Sequence, residues 1–336
     1  DVMYDRLGIR FDMTLGESHF QPMLENVVDD LIQKGIARES DGAICVFLEG
    51  KKVPFLIRKS DGAFTYATTD LATLKHRADD LNADVVLYVV GAPQADHFEM
   101  LFETAAKWGY GRLDCRHISF GSVLDENRQM FRTRSGGTVG LEALVDEAVL
   151  RSRAIVDAND DSKPSGRELD DATRAVVAEV IGIGGIKYAD LHHNRDSDYV
   201  FSWDRMLAMT GDTGAYMQYA YARICGIFRK AGVDRESVRN SGAPIRFTQP
   251  SERALALQLH RMSEMLDDAL ADFRPSQVTN WLFATSNIFS TFYNECPVKD
   301  EPDPAIRASR LRLCDLMGRA LQAGLGLLGI EVREQM

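Results

Sequence analysis

The sequence predicts an α/β portion followed by an all-helical portion, and three observations carry that prediction. VVLYVVG (85–91) is an unbroken apolar run, the pattern of a strand buried on both faces. A helical stretch at about 96–109 separates it from a second strand-like run, HISFGSVL (117–124), and strand, helix, strand at this spacing is a βαβ unit with a parallel sheet. From about residue 171 onward, nearly every segment has helical periodicity.

Taken in order, the first helix is predicted near 17–35, where Phe20, Met23, Val27 and Leu31 recur at helical spacing and Gly35 ends the pattern. ICVFL (44–48) and VPFLI (53–57) flank a Glu49-Gly50-Lys51 turn and read as a hairpin. TTDLATLKHRADDL (68–81) reads as a helix that starts on Thr and Asp caps. DANDDSKPSGRELDD (157–171) is polar, contains Pro and Gly, and reads as an exposed connector. Helices follow near 171–190, 213–231 (ended by Gly232), 251–271, 275–293 and 304–328, with no internal repeats.

Composition narrows the class. A chain of 336 residues suggests two or three domains at roughly 100–200 residues each. With 45% apolar and 26% charged residues it is neither collagenous nor largely disordered. No run approaches the ~18 apolar residues that span a bilayer, and DVMYDRLGIRFD is not a signal peptide, so no membrane partner is expected. The five scattered cysteines cannot all pair, and thiols in a reducing cytoplasm are the simpler reading; no clustered metal ligands are visible. The net charge of −11 argues against a protein that coats nucleic acid. All of that excess lies in residues 1–200, whereas 201–336 is balanced and takes nearly all its positive charge from arginine, whose planar fork suits phosphate.

Four clusters could carry chemistry. The strand at 85–91 leads into Gly91-Ala92-Pro93-Gln94-Ala95-Asp96-His97, which puts Gln94 and His97 at the carboxyl end of a parallel strand, where α/β folds bind ligands. A solvated loop is the plain alternative. Tyr66 and Asp70 lie at a helix start, where the Asp either caps or faces a cationic ligand. FRTRSGG supplies Arg132, Thr133 and Arg134 ahead of a helix, either as a phosphate clamp or as a wet, charge-rich loop. Tyr216, Tyr219 and Arg223 form a stripe beside an apolar one, either the rim of a core helix or a surface that stacks on single-stranded RNA. GxxxxGK[ST], GxGxxG and a nucleophile–base pair are all absent.

The strings YDRLGIRFDMTLGES (4–18), SDGAFTYATTDLA (60–72), YVVGAPQADHF (88–98), FGSVL (120–124), FRTRSGGTVGLEALVDEA (131–148), KYADLHHNRDSDYVFSWDRML (187–207), GAYMQYAYARICGIFRKAG (214–232), FYNECPV (292–298) and LGIEVREQM (328–336) together resemble the arginyl-tRNA synthetases, a class I family. The resemblance implies a partial class I nucleotide-binding (Rossmann-like) parallel sheet plus a helical-bundle anticodon-binding domain. It implies a division into 1–60 (tail of an inserted segment), 61–156 (second half of the catalytic domain), 157–212 (linker and connecting helices) and 213–336 (anticodon-binding domain). The implied function is ATP-dependent attachment of L-arginine to its tRNA through arginyl-adenylate.

By the same resemblance, Tyr66, Asp70 and Gln94 hold the substrate arginine. Gly91, His97, Gly121, Ser122, Val123 and Thr133 border ATP, which Mg²⁺ accompanies. Arg132 and Arg134 stabilise charge on the triphosphate. Tyr219, Arg223, Tyr293 and Met336 approach the tRNA anticodon arm. A cytoplasmic monomer is expected. None of the seven histidines sits in a HIGH-like string, so these residues are expected to form the C-terminal part of such an enzyme and not to aminoacylate alone. The alternative is a truncated, tRNA-binding paralogue without that activity.

Overall fold

A computed structural model describes residues 2–125, 127–129, 140–164 and 166–336. The chain divides into two units, residues 11–122 and residues 1–10 with 123–336. The short α1 (Val2–Arg6) belongs to the larger unit.

In the smaller unit, two 3₁₀ turns, Glu17–His19 and Gln21–Met23, precede α2 (Leu24–Gln33), so the regular helix starts later than its apolar spacing predicts. Leu24, Val27, Val28 and Leu31 are its buried face. A three-stranded antiparallel sheet follows in the order β1 (Ala37–Ser40), β2 (Ala43–Val46), β3 (Phe55–Arg58). The predicted hairpin is β2–β3; β1 is additional. Its turn, Asp41-Gly42, has positive φ at both residues (49° and 77°), the geometry that matches the twist of paired strands.

α3 (Tyr66–Asp79) begins two residues before the predicted start, so Thr68 and Asp70 lie inside the helix and do not cap it. Thr65 donates instead to the Leu56 and Ile57 carbonyls (2.7 and 3.0 Å), and Thr68 also donates to Ile57, so the helix start is pinned to β3. β4 (Val85–Gly91), α4 (Ala95–Ala105) and β5 (Asp114–Phe120) form the predicted βαβ unit, with β4 and β5 parallel from Val85↔Asp114 to Gly91↔Phe120.

The expectation that β4 is buried on both faces is corrected. Val86 and Tyr88 pack into the core with Phe98 and Leu101, while Val85, Leu87 and Val89 are 49%, 41% and 65% exposed. Among the described residues of this unit, helices cover only one side of the pair. The second predicted strand is also shorter; it ends at Phe120, and Val123–Leu124 forms β6 in the larger unit.

There β6 pairs in parallel with β7 (Tyr199–Val200). Between them run α5 (Leu141–Asp161) and α6 (Asp171–Leu191), packed so closely that a Cβ on Gly182 would lie 2.9 Å from the Ala148 carbonyl carbon and the Val149 nitrogen. The predicted connector 157–171 is shorter than expected and is not wholly exposed. Helix α5 continues to Asp161, and the buried Asp160 accepts from the Leu169 N–H (3.0 Å) and from Arg174 Nη2 (2.6 Å). Those bonds hold the Asp160 carboxyl well below the usual carboxylate range despite burial, which opposes the shift.

α7 (Trp203–Met206), α8 (Gly214–Ala231), α9 (Arg235–Asn240), α10 (Pro250–His260), α11 (Met262–Asp272), α12 (Pro275–Glu295) and α13 (Pro304–Leu327) complete the unit. α8 ends at Gly232 in the left-handed region (φ 65°), as predicted. The segment predicted as one helix at 251–271 is two, divided at Arg261. Met217, Ile224, Leu282, Phe289, Phe292, Leu313, Cys314 and Leu321 form the centre of the bundle. All five cysteines are free thiols, and four are buried.

Candidate functional site

Asp70 sits on the second turn of α3, one turn after Tyr66, so both lie on one helical face. Gln94 closes the 3₁₀ turn that follows β4, and His97 lies three residues on in α4. The two helices meet at a hydrogen bond in which His97 Nε2 donates to Asp70 Oδ2 at 2.7 Å. The His97 ring is held between Phe55 and Phe98, with centroids 5.5 and 5.3 Å away. Asp70 keeps about a third of its side chain exposed, and no Lys or Arg pairs with it among the described residues. Tyr66 is 74% exposed, and Gln94 is exposed as well.

The site is therefore a carboxylate fixed through one oxygen, with its other oxygen unbonded among the described residues, while Tyr66 lies one helical turn before it on α3 and Gln94 three residues before its partner His97. Such a group accepts a planar cation through charge-assisted bonds. The sequence reading put His97 beside ATP and did not foresee its contact with Asp70.

Gly91 has φ −55° and ψ 145°, which any residue adopts, and a Cβ there would meet nothing closer than 3.7 Å. Its lack of a side chain is not demanded by the fold. Gly121 and Ser122 form the segment after β5, and Val123 begins β6. Arg132, Thr133 and Arg134 lie outside the described residues.

In the bundle, Tyr219 and Arg223 share a face of α8, and the Arg223 guanidinium lies 3.9 Å from the centre of the Tyr293 ring on α12. Tyr216 and Ser290 join their hydroxyls beside it at 3.2 Å. Met336 is not on this face. It packs on the cluster that contains Ala148, Val156 and Leu169, and its carbonyl accepts from Lys163 at 3.5 Å. The arginine-rich composition is partly structural, since Arg310 is spent on Glu252 and Glu301, and Arg235 and Arg239 on Asp315.

A family model described as tRNA synthetases class I (R), catalytic domain, matches residues 1–203, well over half of the chain. The chain belongs to the class I arginyl-tRNA synthetases. A DALR anticodon binding domain model matches residues 217–336, the bundle that carries Tyr219, Arg223 and Tyr293. The chain is 43% identical over 342 residues to an arginine–tRNA ligase of Rhodopirellula baltica, covering 99% of this chain and 51% of that protein. It is 45% identical over 348 residues to one of Thermobifida fusca, covering 100% and 59%.

Among solved structures, arginyl-tRNA synthetase from Plasmodium falciparum superposes with a TM-score of 0.86 at 30% identity, over 100% of this chain and 56% of that one. That of Thermus thermophilus gives 0.86 at 26% identity, over 100% and 62%. The chain thus spans a little over half the length of these arginyl-tRNA synthetase relatives. The fold class read from the sequence, a partial class I sheet followed by a helical anticodon-type domain, agrees with these matches.

Proposed function

We propose that this chain serves the arginine–tRNA ligase reaction and that the α3–α4 site binds the arginine side chain. The observation that carries this reading is the Asp70 carboxylate, held through one oxygen by His97 with its other oxygen unbonded. A guanidinium docks there with its fork on the free oxygen, while Tyr66 and Gln94 hold its flanks. His97 is then a positioning residue for Asp70. The arginine carboxylate attacks the α-phosphate of ATP, which forms arginyl-adenylate as the α–β phosphoanhydride bond breaks and pyrophosphate leaves. Gly121, Ser122 and Val123 are the segment assigned to adenine, and Arg132, Thr133 and Arg134 are assigned to the triphosphate.

Mg²⁺ is expected to travel with ATP and to neutralise phosphate charge. Among the described residues no group of three or more His, Cys, Asp or Glu side chains is placed to hold a metal, so none is assigned to it. The Tyr219–Arg223–Tyr293 face is the proposed contact for tRNA bases, through stacking on aromatic and guanidinium planes. Met336 is left out of that contact.

Calorimetric titration with L-arginine tests the site. Asp70→Ala should weaken binding by ~2–5 kcal/mol, nearer the lower figure because the carboxylate is partly solvated. An unchanged affinity in a folded variant would remove Asp70 from the site.

A further inference from the structure

The string KYADLHHNRDSDYVFSWDRML carries part of the family resemblance, yet nothing above gives it a role. Its residues line a cavity of about 410 Å³ in the larger unit, formed by the end of α6, β7, α7 and the residues leading into α8. That volume falls within the ~300–1,000 Å³ of small-ligand pockets. One wall is a ladder of four rings. Tyr188 and His192 lie 5.9 Å apart, His192 and His193 3.8 Å, and His193 and Tyr199 4.6 Å.

The polar atoms along this wall are set. His192 donates from Nδ1 to the Ala189 carbonyl (2.9 Å), which fixes the orientation of its ring. Burial, with His192 and Arg205 beside it, pushes the His193 imidazole down to about 4, so it is neutral at pH 7. The Tyr188 hydroxyl donates to Asp212 Oδ1 (2.6 Å) and leaves the second oxygen of that carboxylate unclaimed by it. Asp212 is the one carboxylate among the lining residues, and Arg205 the one guanidinium. Arg205 is exposed and pairs with no carboxylate among the described residues.

These features narrow the occupant. A bare anion is disfavoured by Asp212 and by the neutral His193 imidazole, and a bare cation by Arg205. A purely apolar ligand would leave the imidazole and carboxylate atoms without partners, which costs free energy. A flat ring with donors and acceptors on its edge, joined to a separate negative group, satisfies both ends of the cavity.

We propose that this cavity binds a nucleoside 5′-phosphate unit, with the base among His192, His193, Ser202 and Asp212 and the phosphate on Arg205. The unit comes either from a free nucleotide or from a nucleotide splayed out of an RNA strand; the recognition chemistry is shared. The cavity is lined by residues of the larger unit alone, and this proposal does not rest on the reading of the arginine site.

Histidine footprinting tests the proposal. Diethyl pyrocarbonate modifies accessible imidazoles, and mass spectrometry of the peptides that carry His192 and His193 reads this cavity alone, whatever binds near Asp70. Probes are AMP, UMP, orthophosphate and an arginine-accepting tRNA, each added to the whole chain. AMP or UMP should protect both histidines where orthophosphate does not. Arg205→Ala, an exposed change, should raise the nucleotide concentration for half-protection roughly tenfold. Protection by tRNA at far lower concentration than by free nucleotides identifies an RNA nucleotide as the source; protection by free nucleotides alone identifies a small ligand. The proposal is overturned if neither nucleotides nor tRNA protect, if orthophosphate protects equally well, or if Arg205→Ala protects like the parent chain.

Discussion

Removing the charge of Glu252 should open the helical bundle without disturbing the arginine site. Glu252 is fully buried and Arg310 is 5% exposed. The carboxylate accepts from Arg310 Nε (2.6 Å) and from the backbone N–H groups of Thr248 and Gln249, so one side chain both starts α10 and anchors α13. Breaking a buried ion pair from one side costs ~3–5 kcal/mol, because the other charge is stranded. Here Arg310 retains Glu301, 2.5 Å from Nη1, and the Pro297 carbonyl at 2.8 Å. Glutamine also preserves an oxygen for the two N–H groups. Glu252→Gln should therefore cost about 2–3 kcal/mol. Glu252→Leu, which strands both N–H groups at ~1 kcal/mol each, should cost about 4–5 kcal/mol.

A chain of two units does not unfold in one step, so the readout must be local. Hydrogen exchange of peptides from α10, α12 and α13 should speed up about 30- to 150-fold in Glu252→Gln, with α3 and α4 unchanged. Less than a threefold change in the bundle, or equal acceleration in both units, would refute the reasoning. The pH dependence has a definite sign. Arg310 and the two N–H groups outweigh burial and hold the Glu252 carboxyl below its ordinary value. Its contribution is thus full at neutral pH and disappears only as acid protonates it below the usual glutamate range.

Two glycines of α8 should respond with opposite signs. A Cβ on Gly214 would meet the Gly184 carbonyl oxygen at 2.7 Å and Tyr188 Cβ at 2.9 Å, so Gly214→Ala should destabilise the unit by ~1–3 kcal/mol, read as faster hydrogen exchange of α6 and α8 peptides. In Gly226→Ala the nearest atom is the flexible end of Arg229, 3.7 Å away, and the gain in helix propensity should stabilise by ~0.5–1 kcal/mol. On the tRNA face, Tyr293→Ala removes the ring beneath Arg223 and should weaken tRNA binding by ~1–3 kcal/mol with no change in salt slope. Arg223→Ala, which removes a positive charge as well as a stacking plane, should also lower that slope by about one in filter binding across salt concentrations.

The periodic parts of the fold were legible. The βαβ unit, the long helices and the Gly232 stop all follow from local pattern, and the matched strings pointed to the family. What escaped was set by contacts distant in sequence or by very short elements. β1 is four mostly polar residues, and only its Asp-Gly turn could have signalled it. The run 85–91 looked two-sided because apolar residues occupy both faces, yet among the described residues of its unit the pair is covered on one face only. Asp160 sits in a stretch whose polarity reads as wet, but Arg174, fourteen residues on, draws it inside. In the candidate site, Asp70 and Gln94 could be named one at a time; that His97 would reach across 27 residues to hold Asp70 could not. Arg abundance suggested phosphate binding, whereas several of those side chains neutralise buried carboxylates.

The α3–α4 carboxylate is tested most directly by comparing L-arginine with L-citrulline in the same calorimetric titration. The two ligands differ by a charged guanidinium against a neutral urea of nearly the same shape. If Asp70 grips the guanidinium, arginine binds at least roughly a hundredfold more tightly, and Asp70→Asn removes most of that preference. Equal affinity for the two ligands in the unaltered chain would contradict the account.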